Sequence, residues 1–313
     1  MAAVVDVALP LFALIFLGWA VVRAGVLPRA TVPGLNGFVF HVTLPALIFD
    51  EVAAAPSSAL ADPRFLIAYY VPTLGLLAGV TVVSRWLLRT RRADAVVQGM
   101  SACWSNAGYM GIPLLLTFAG PAAALPAVLV LVFDNLLTSP LSIAVLESTR
   151  GGGARLGATL ARTWRSLARH PLILAAAAGI VGGLVPASPP APAESVIDLL
   201  AGATVPCALV ALGGSLVGVP VSEARREVAV LVALKLLVHP LWVAAMVYVV
   251  LPLEATAAMA GVVVAALPTG AMVFVLAERY QSYVRRASTV LRVSHVASGA
   301  TVSALLVALA GDG

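Results

Sequence analysis

The chain has 313 residues, of which 61% are hydrophobic and only 11% are charged. A soluble domain carries about 25% charged residues, so most of the surface of this protein must face something other than water. The formal net charge of +5 does not indicate nucleic-acid binding, because the basic residues form short clusters between apolar runs and build no basic face interleaved with aromatic residues.

Ten apolar runs are long enough to cross a membrane, for which a helix needs about 20 apolar residues. They cover residues 3–22, 34–55, 65–88, 96–119, 122–146, 169–186, 195–219, 227–251, 255–277 and 287–310. The connectors between them leave no stretch for a separate soluble domain. The sequence therefore predicts an all-α membrane protein with ten transmembrane helices.

The basic residues fall on one side of this predicted topology. Of the 19 Lys and Arg residues, 17 lie in the loops after the first, third, fifth, seventh and ninth runs or at the run ends beside these loops, whereas Arg64 lies on the other side and Lys235 lies within the eighth run. Cytoplasmic loops of membrane proteins are enriched in Lys and Arg. This predicts that the odd-numbered loops are cytoplasmic and that both termini lie on the non-cytoplasmic side.

The longest connector, residues 147–168, contains three consecutive glycines and the largest arginine cluster. We interpret it as a basic cytoplasmic linker whose arginines lie near anionic lipid. It divides the chain into a first five-helix repeat, residues 1–146, and a second five-helix repeat, residues 169–313.

The two halves share a spacing of prolines that indicates an internal repeat. Pro10 in the first run and Pro171 in the sixth are 161 positions apart, as are Pro45 in the second run and Pro206 in the seventh. Because each half contains an odd number of helices, the second half must be inserted upside down relative to the first. Inverted repeats are typical of transporters, in which one site opens alternately to either side of the membrane.

The fourth and ninth runs are both interrupted near their middle by residues that break helices. The residues at these two interruptions are Asn106, Gly108, Gly111, Pro113, Pro268, Thr269 and Gly270. Interrupted segments at corresponding positions of two halves indicate the binding site of a transporter. The alternative is a pair of kinked helices with a purely structural role.

A broken helix exposes free N–H groups and a partial positive charge at its new N-terminus. In a low-dielectric site this end attracts an anion such as a carboxylate. The side chains of Asn106 and Thr269 add an amide and a hydroxyl donor. The opposed C-terminal ends favour a cation, so Na⁺ or H⁺ is a candidate coupling ion. We expect no cofactor.

These segments resemble the auxin efflux carrier family, and the resemblance extends over nearly the whole chain. The stretches that carry it are Gly34-Leu35-Asn36-Gly37-Phe38-Val39 with Leu44-Pro45, Asn106 with Met110-Gly111-Ile112-Pro113-Leu114-Leu115, and Ala265-Ala266-Leu267-Pro268-Thr269-Gly270 with Phe274-Val275-Leu276-Ala277-Glu278-Arg279-Tyr280. Each stretch alone is weak, but the three together are specific.

The resemblance implies ten helices in two inverted five-helix repeats, in which helices four and nine cross at their breaks. It implies small organic anions as substrates, with Asn106 as the residue that faces them, and by analogy a homodimer. The chain lacks the long hydrophilic loop of the plant exporters. That difference argues against auxin and favours a compact prokaryotic carrier for malonate-like acids in the inner membrane.

Four polar residues inside the fifth and eighth runs are further candidates, since an ionisable residue in a membrane is costly and often functional. Asp134 either carries a proton or a cation with help from Asn135, or pairs with Lys235 and ties the halves together. Lys235 and His239 are spaced i, i+4 on one helix face. They belong either to a coupling network or to the packing of the helices. His295 is interpreted as a packing residue.

Other classes of function fit the sequence less well. His295 with Ser298 and Gly299 lacks the partners of a serine nucleophile, and there is no His-Glu-x-x-His pair, so we expect no enzyme. A passive channel more naturally shows rings of like residues from identical subunits. The nearest alternative is a sodium-coupled bile-acid-type symporter or a cation/proton antiporter of related fold. An antiporter would place acidic residues at the breaks, whereas Asn106 and Thr269 favour an organic anion moved by alternating access.

Overall fold

The structure is a computed structural model that describes residues 2–55, 63–149, 165, 168–184, 190–217 and 225–311. Most of the predicted linker, residues 147–168, lies outside these ranges. The helices are α1 (Ala2–Arg23), α2 (Thr31–Ala54), α3 (Arg64–Trp86), α4 (Arg92–Cys103), α5 (Ala107–Ala119), α6 (Ala122–Ser148), α7 (Pro171–Leu184), α8 (Ala191–Ser215), α9 (Arg225–Val250), α10 (Ala255–Ala266), α11 (Ala271–Tyr280) and α12 (Val284–Gly311). The described residues contain no β-strand, and this confirms the all-α class.

Among the described residues, six helices are long and apolar enough to cross a membrane, namely α2, α3, α6, α8, α9 and α12. The apolar helices in α1, α5, α7 and α10 are shorter. The helix bounds follow the ten apolar runs closely, except that the fourth and ninth runs each contain two helices, α4 with α5 and α10 with α11. The interruptions predicted in these two runs are therefore confirmed.

Five turns within the described helices are π-helical and thus wider than the α-helical turns around them. Each ends two residues before a proline: Val39–Thr43 before Pro45, Ala107–Gly111 before Pro113, Asp134–Thr138 before Pro140, Leu234–Val238 before Pro240, and Met246–Val250 before Pro252. Proline lacks an N–H and its ring clashes with the carbonyl four residues earlier, so the preceding turn loses its regular bonding. Pro72 and Pro206 lie in α-helical turns, so proline permits this widening without dictating it.

The chain forms two compact units that do not coincide with the sequence halves. Unit 1 comprises residues 1–62, 108–128 and 166–219, and unit 2 comprises residues 63–107, 129–165 and 220–313. Each unit takes segments from both halves of the chain. The repeat boundaries at 146 and 169 describe a duplication of sequence and stay a prediction.

Unit 1 is packed through glycines at which helix backbones come into close contact. An added Cβ at Gly18 of α1 would lie 2.1 Å from the carbonyl oxygen of Val210 on α8, and one at Gly213 would lie 1.8 Å from that of Ile15. Helices α2 and α7 pack in the same way, with Gly179 against the backbone of Phe49. Small residues at such interfaces let membrane helices approach closely enough to gain van der Waals contact.

Unit 2 has an apolar core to which α3, α4, α6, α9, α11 and α12 contribute. Met100, Cys103 and Val273 are among its fully buried members. Helix α10 begins at Glu254, whose carboxylate accepts hydrogen bonds from the N–H groups of Thr256 and Ala257. The hydrogen bond from the Thr256 N–H is the main reason why the pKa of this carboxyl lies below its usual range.

Candidate functional site

The two interrupted segments cross each other inside unit 2. Helix α4 ends at Cys103, after which Trp104 is extended, and helix α10 ends at Ala266, after which Leu267 is extended. Ser105 and Thr269 then form an isolated antiparallel bridge. The N–H of Asn106 donates to the carbonyl of Pro268 at 2.9 Å, and the N–H of Gly270 donates to that of Trp104 at 2.9 Å. The crossing thus satisfies its own backbone groups, as an irregular segment inside a membrane protein requires.

Two residues of the crossing have identities that the structure explains, one by lack of space and one by a hydrogen bond. An added Cβ at Gly270 would lie 2.9 Å from the carbonyl oxygen of Ser105, so a larger residue would push the two extended segments of the crossing apart. Thr269 is fully buried, and its hydroxyl donates to the carbonyl of Ser101 at 2.9 Å. A threonine hydroxyl has a single hydrogen. The hydroxyl of Thr269 therefore holds the crossing together and is not available as a donor to an anion in this structure.

The Asn106 side chain is oriented by a histidine that the sequence did not indicate as a partner. The Nδ1 of His295 lies 2.6 Å from the carbonyl oxygen of Leu291, which only accepts, so Nδ1 carries the ring hydrogen. The Nε2 of His295 then accepts, and the amide nitrogen of Asn106 donates to it at 3.0 Å. In the described part of the chain, the second amide hydrogen and the amide oxygen of Asn106 have no hydrogen-bond partner, so both are available to a ligand.

The N-terminus of α11 supplies further donors beside Asn106. Gly270 precedes the helix and gives it no side-chain cap, and Ala271 at the first helical position is exposed. The N–H groups at the start of a helix have no partner within the helix. The N–H of Val273 donates to the carbonyl of Gly270 at 3.2 Å, whereas those of Ala271 and Met272 have no partner among the described residues. Helix α11 therefore presents these two unpaired N–H groups and the positive end of its dipole directly after the crossing.

The remaining predicted residues of the fourth run lie after the crossing. Gly108 and Gly111 are in the π-helical turn that opens α5, and Pro113 follows two residues later. All three belong to unit 1, whereas Asn106, Pro268, Thr269 and Gly270 belong to unit 2. Within unit 2 the structure thus brings together four of the seven residues that the sequence assigned to the interruptions.

Asp134 lies at the start of a π-helical turn and accepts hydrogen bonds through one carboxylate oxygen. Thr138 donates to it at 3.0 Å, and the Tyr70 hydroxyl shares its single hydrogen between this oxygen at 3.2 Å and the carbonyl of Val130 at 2.9 Å. The neighbouring amide of Asn135 donates to the carbonyl of Leu131 in its own helix at 2.7 Å. Among the described residues no ion pair joins Asp134 to Lys235, so the hydroxyl groups and not the lysine hold this carboxylate in place.

Lys235 is fully buried and ends against the carboxyl end of α10. Its ammonium donates to the carbonyl oxygen of Ala265, one residue before the end of that helix, at 2.6 Å. The carbonyls in the last turn of a helix have no partner within the helix and carry partial negative charge. Lys235 therefore occupies the place at the interrupted helix where the sequence predicted that a cation is favoured.

A directed chain of hydrogen bonds leads away from Lys235. Thr73 donates its one hydroxyl hydrogen to the carbonyl of Tyr69 at 2.7 Å, so it must accept from the Nε2 of His239, 2.9 Å away. The Nδ1 of His239 is then unprotonated and faces the ammonium of Lys235 at 3.4 Å. The i, i+4 spacing predicted the contact between Lys235 and His239, whereas nothing local in the sequence pointed to Thr73 or Ala265.

Comparisons with known proteins show which family the chain belongs to. Residues 3–306 match the family described as membrane transport protein. The chain belongs to this family. The match covers nearly the whole sequence, confirms the resemblance to the auxin efflux carriers, and identifies the chain as a multi-pass membrane transporter and not an enzyme.

Two relatives with similar sequences carry names that fit this assignment. A protein of Rhizobium meliloti (strain 1021) named "Putative malonate transporter" is 32% identical over 310 residues, which are 98% of this chain and 96% of the relative. A protein of Methanothermobacter thermautotrophicus named "Uncharacterized transporter" is 25% identical over 246 residues, which are 78% of each chain.

Proposed function

We propose that this protein is a secondary transporter for a small organic anion, with a dicarboxylate of the malonate class as the first candidate. The crossing of the two interrupted segments is the observation that carries the proposal, because it sets the free amide groups of Asn106 beside the unpaired N–H groups of α11. These donors are suited to a carboxylate. The name of the Rhizobium relative supports the choice of acid.

In the proposed complex, one carboxylate accepts hydrogen bonds from the second amide hydrogen of Asn106 and from the first turn of α11. His295 is a positioning residue, since its Nε2 fixes the rotation of the Asn106 amide. Residues Gly108, Gly111 and Pro113 shape the start of α5. Thr269 and Pro268 hold the crossing.

The proposed mechanism is alternating access by two inverted five-helix repeats with ten spans in an inner membrane, with both termini on the non-cytoplasmic side. The composition of the units supports it, since each combines segments from both halves of the chain, as interleaved repeats would. The bundle that carries the crossing, unit 2, moves as a body during transport. The protein acts without a cofactor, and a homodimer is the proposed assembly.

We assign the coupling role to a proton carried by Lys235 and His239. The chain of hydrogen bonds from Lys235 to Thr73 supports this, because the unprotonated Nδ1 of His239 faces the ammonium and can accept its proton. The other titratable groups that interact with this pair are Asp134, Cys103 and Tyr69, whose ring contacts that of His239. Asp134 with Asn135 is the second candidate for the coupling ion.

The sodium-coupled symporter remains the alternative, and a requirement for Na⁺ would separate the two. Lys235 occupies the carboxyl end of α10 with its own positive charge, and this favours a protein that needs no metal cation there. A transporter coupled to protons should bind and move its anion equally well in sodium and choline buffers.

The proposal is tested by thermal unfolding of the purified protein with small mono- and dicarboxylates, in sodium and in choline buffer. A ligand at about 100 times its Kd stabilises the folded state by about 2.7 kcal/mol, and this shift is measurable. We expect malonate to raise the Tm of the wild type and to lose this effect in Asn106→Ala. The matched variant Asn36→Ala, which removes the same group from α2, should respond like the wild type. An unaltered malonate response in Asn106→Ala would rule out the proposed site.

A further inference from the structure

A cavity outside the crossing is lined by four arginines at the end of α3 and the start of α4. Its volume is about 490 Å³, and its walls are formed by Arg85, Arg89, Thr90, Arg91, Arg92, Ala93 and Thr149. All of these residues belong to unit 2. Among the described residues, four arginines and no acidic residue line this space.

The loop that presents these arginines has a defined conformation. The N–H groups of Leu87 and Leu88 both donate to the carbonyl of Val83, and Thr90 donates through its N–H and its hydroxyl to the carbonyl of Ser84. Arg89 has a φ of 54°, so it occupies the left-handed region that closes the turn. Backbone bonding therefore fixes the loop that carries the arginines, whose side chains are exposed.

The carboxylates nearest in sequence are directed to other partners. Asp94 accepts from the hydroxyl of Ser282 at 2.5 Å, and Glu147 accepts from that of Tyr280 at 2.8 Å. In the described part of the chain, none of the four arginines of the cavity forms an ion pair. Helix α4 begins at Arg92 without a side-chain cap, so its free N–H groups add partial positive charge. Like charges held together in this way repel one another until an anion binds between them.

Three exposed apolar residues between Arg85 and Arg89 indicate which class of anion binds in the cavity. Trp86, Leu87 and Leu88 are 74%, 75% and 63% exposed, whereas a site for a free inorganic ion needs no apolar surface beside it. Tryptophan is enriched at the interface of membranes, and basic residues next to a membrane span bind anionic lipid. Arginine pairs with phosphate through two parallel hydrogen bonds.

We propose that this cavity binds the phosphate-bearing headgroup of an anionic phospholipid, whose acyl chains lie along Trp86 and Leu88. The four arginines and the N-terminus of α4 neutralise the phosphate, and the apolar residues contact the upper part of the acyl chains. The site is separate from the crossing and does not depend on which anion is transported. A lipid bound here ties the end of α3 to the start of α4 at one membrane surface.

Native mass spectrometry and thermal unfolding of the full chain in neutral detergent test this proposal. Phosphatidylglycerol, phosphatidylcholine and inorganic phosphate are compared as probes on the wild type and on the double variant Arg89→Gln/Arg91→Gln. The variant Arg225→Gln/Arg226→Gln on α9 is the matched control, since it removes the same charge elsewhere in unit 2. We expect the wild type and the control to retain phosphatidylglycerol and the Arg89/Arg91 variant to retain at least tenfold less.

Several results would overturn the proposal. Equal loss of phosphatidylglycerol in both double variants would show that net charge alone attracts the lipid. Equal retention of phosphatidylcholine would show that the headgroup charge is irrelevant. Stabilisation by inorganic phosphate as large as that by phosphatidylglycerol would identify a site for a free anion. Should the Arg89/Arg91 variant fold poorly, the single variant Arg91→Gln provides the same comparison, with a smaller expected loss.

Discussion

Units 1 and 2 solve the problem of packing helices in a membrane in different ways. Unit 1 uses glycines at which backbones touch, at Gly18, Gly179, Gly183 and Gly213. Unit 2 also contains close glycine contacts, at Gly99 and Gly270, but it differs in its buried polar groups. The buried polar residues of unit 2 include Gln98, Ser101, Ser105, Asn106, Asp134, Thr269, Lys235, His239, Ser294 and His295.

This difference indicates that the contacts of unit 1 stabilise the fold, whereas buried polar residues of unit 2 act in transport. Lipid supplies no hydrophobic force between helices, so backbone contact through small residues is a route to a stable pair. The described part of unit 1 buries few polar side chains beside these contacts, namely Thr43, Glu51 and Thr204. Buried polar groups are costly in a membrane and are retained when they act on a substrate or an ion. Variants at the backbone contacts of unit 1 should therefore impair folding, whereas variants of the unit 2 polar groups that meet the anion or carry the proton should impair transport in a protein that still folds.

The largest effect is expected for Gly213→Ala in unit 1. The new Cβ would lie 1.8 Å from the carbonyl oxygen of Ile15, so α1 and α8 must move apart. Overpacking of this kind costs about 1–3 kcal/mol in cores of soluble proteins, and backbone leaves less room to yield than a side chain. We expect a lower yield and a lower Tm in purified protein.

Gly202→Ala in the same helix is the control for this prediction. In the described part of the chain, no atom outside the local backbone of the helix lies within 4 Å of the Cβ that would be added at Gly202, so this variant should match the wild type. If Gly213→Ala and Gly202→Ala unfold at the same temperature, the backbone contacts of unit 1 do not determine its stability.

The second-largest effect is expected for Lys235→Met, which should lose transport but still fold. The variant removes the ammonium at the end of α10 and the proton donor to His239. It also removes the cost of burying a charge, which offsets the unsatisfied carbonyl of Ala265. We expect proton-driven malonate uptake into proteoliposomes to fall at least tenfold, with little change in Tm.

Arg226→Met on the same helix, which neutralises an exposed cation, should transport like the wild type. Full uptake by Lys235→Met with an unchanged response to a pH gradient would remove Lys235 from the coupling path. Asp134→Asn would then be the next variant to test, as Asp134 is the other candidate.

The helices and the two interruptions could be predicted from the sequence because their signals are local. Apolar runs give the bounds of the helices, and Gly, Asn and Pro within a few residues predict the breaks. The π-helical turns carried a local signal as well, since each ends two residues before a proline. A proline in an apolar run does not by itself predict such a turn, however. Pro45 and Pro113 follow π-helical turns, whereas Pro206 lies in an unbroken α-helix.

The contacts that build the site could not be predicted, because they join distant residues through packing. His295 is 189 positions from Asn106, and no periodicity relates the two. The hydrogen bond from Lys235 to Ala265 depends on how α9 packs beside α10. An ion pair between Lys235 and Asp134 was one of the two alternatives that the sequence left open, whereas the structure gives each of them neutral hydrogen-bond partners.

The smallest effect, and the sharpest distinction within unit 2, is expected for Thr269→Val. Valine keeps the shape of threonine but loses the hydroxyl that donates to the carbonyl of Ser101. Loss of one such bond costs about 1 kcal/mol, so Tm should fall slightly. The affinity for malonate should stay unchanged, because that hydroxyl is committed to the crossing and only Asn106 and α11 meet the anion.

Thr117→Val is the matched control for stability, since Thr117 donates to the carbonyl of Pro113 in its own helix. A tenfold weaker affinity in Thr269→Val at unchanged Tm would reverse the assignment. The hydroxyl would then have to leave Ser101 when the anion binds, and the bridge between Ser105 and Thr269 would have to open with it. In that case the crossing would move when the anion binds. Thr269 would then both hold unit 2 together and bind the anion, so these two roles could not be assigned to separate residues.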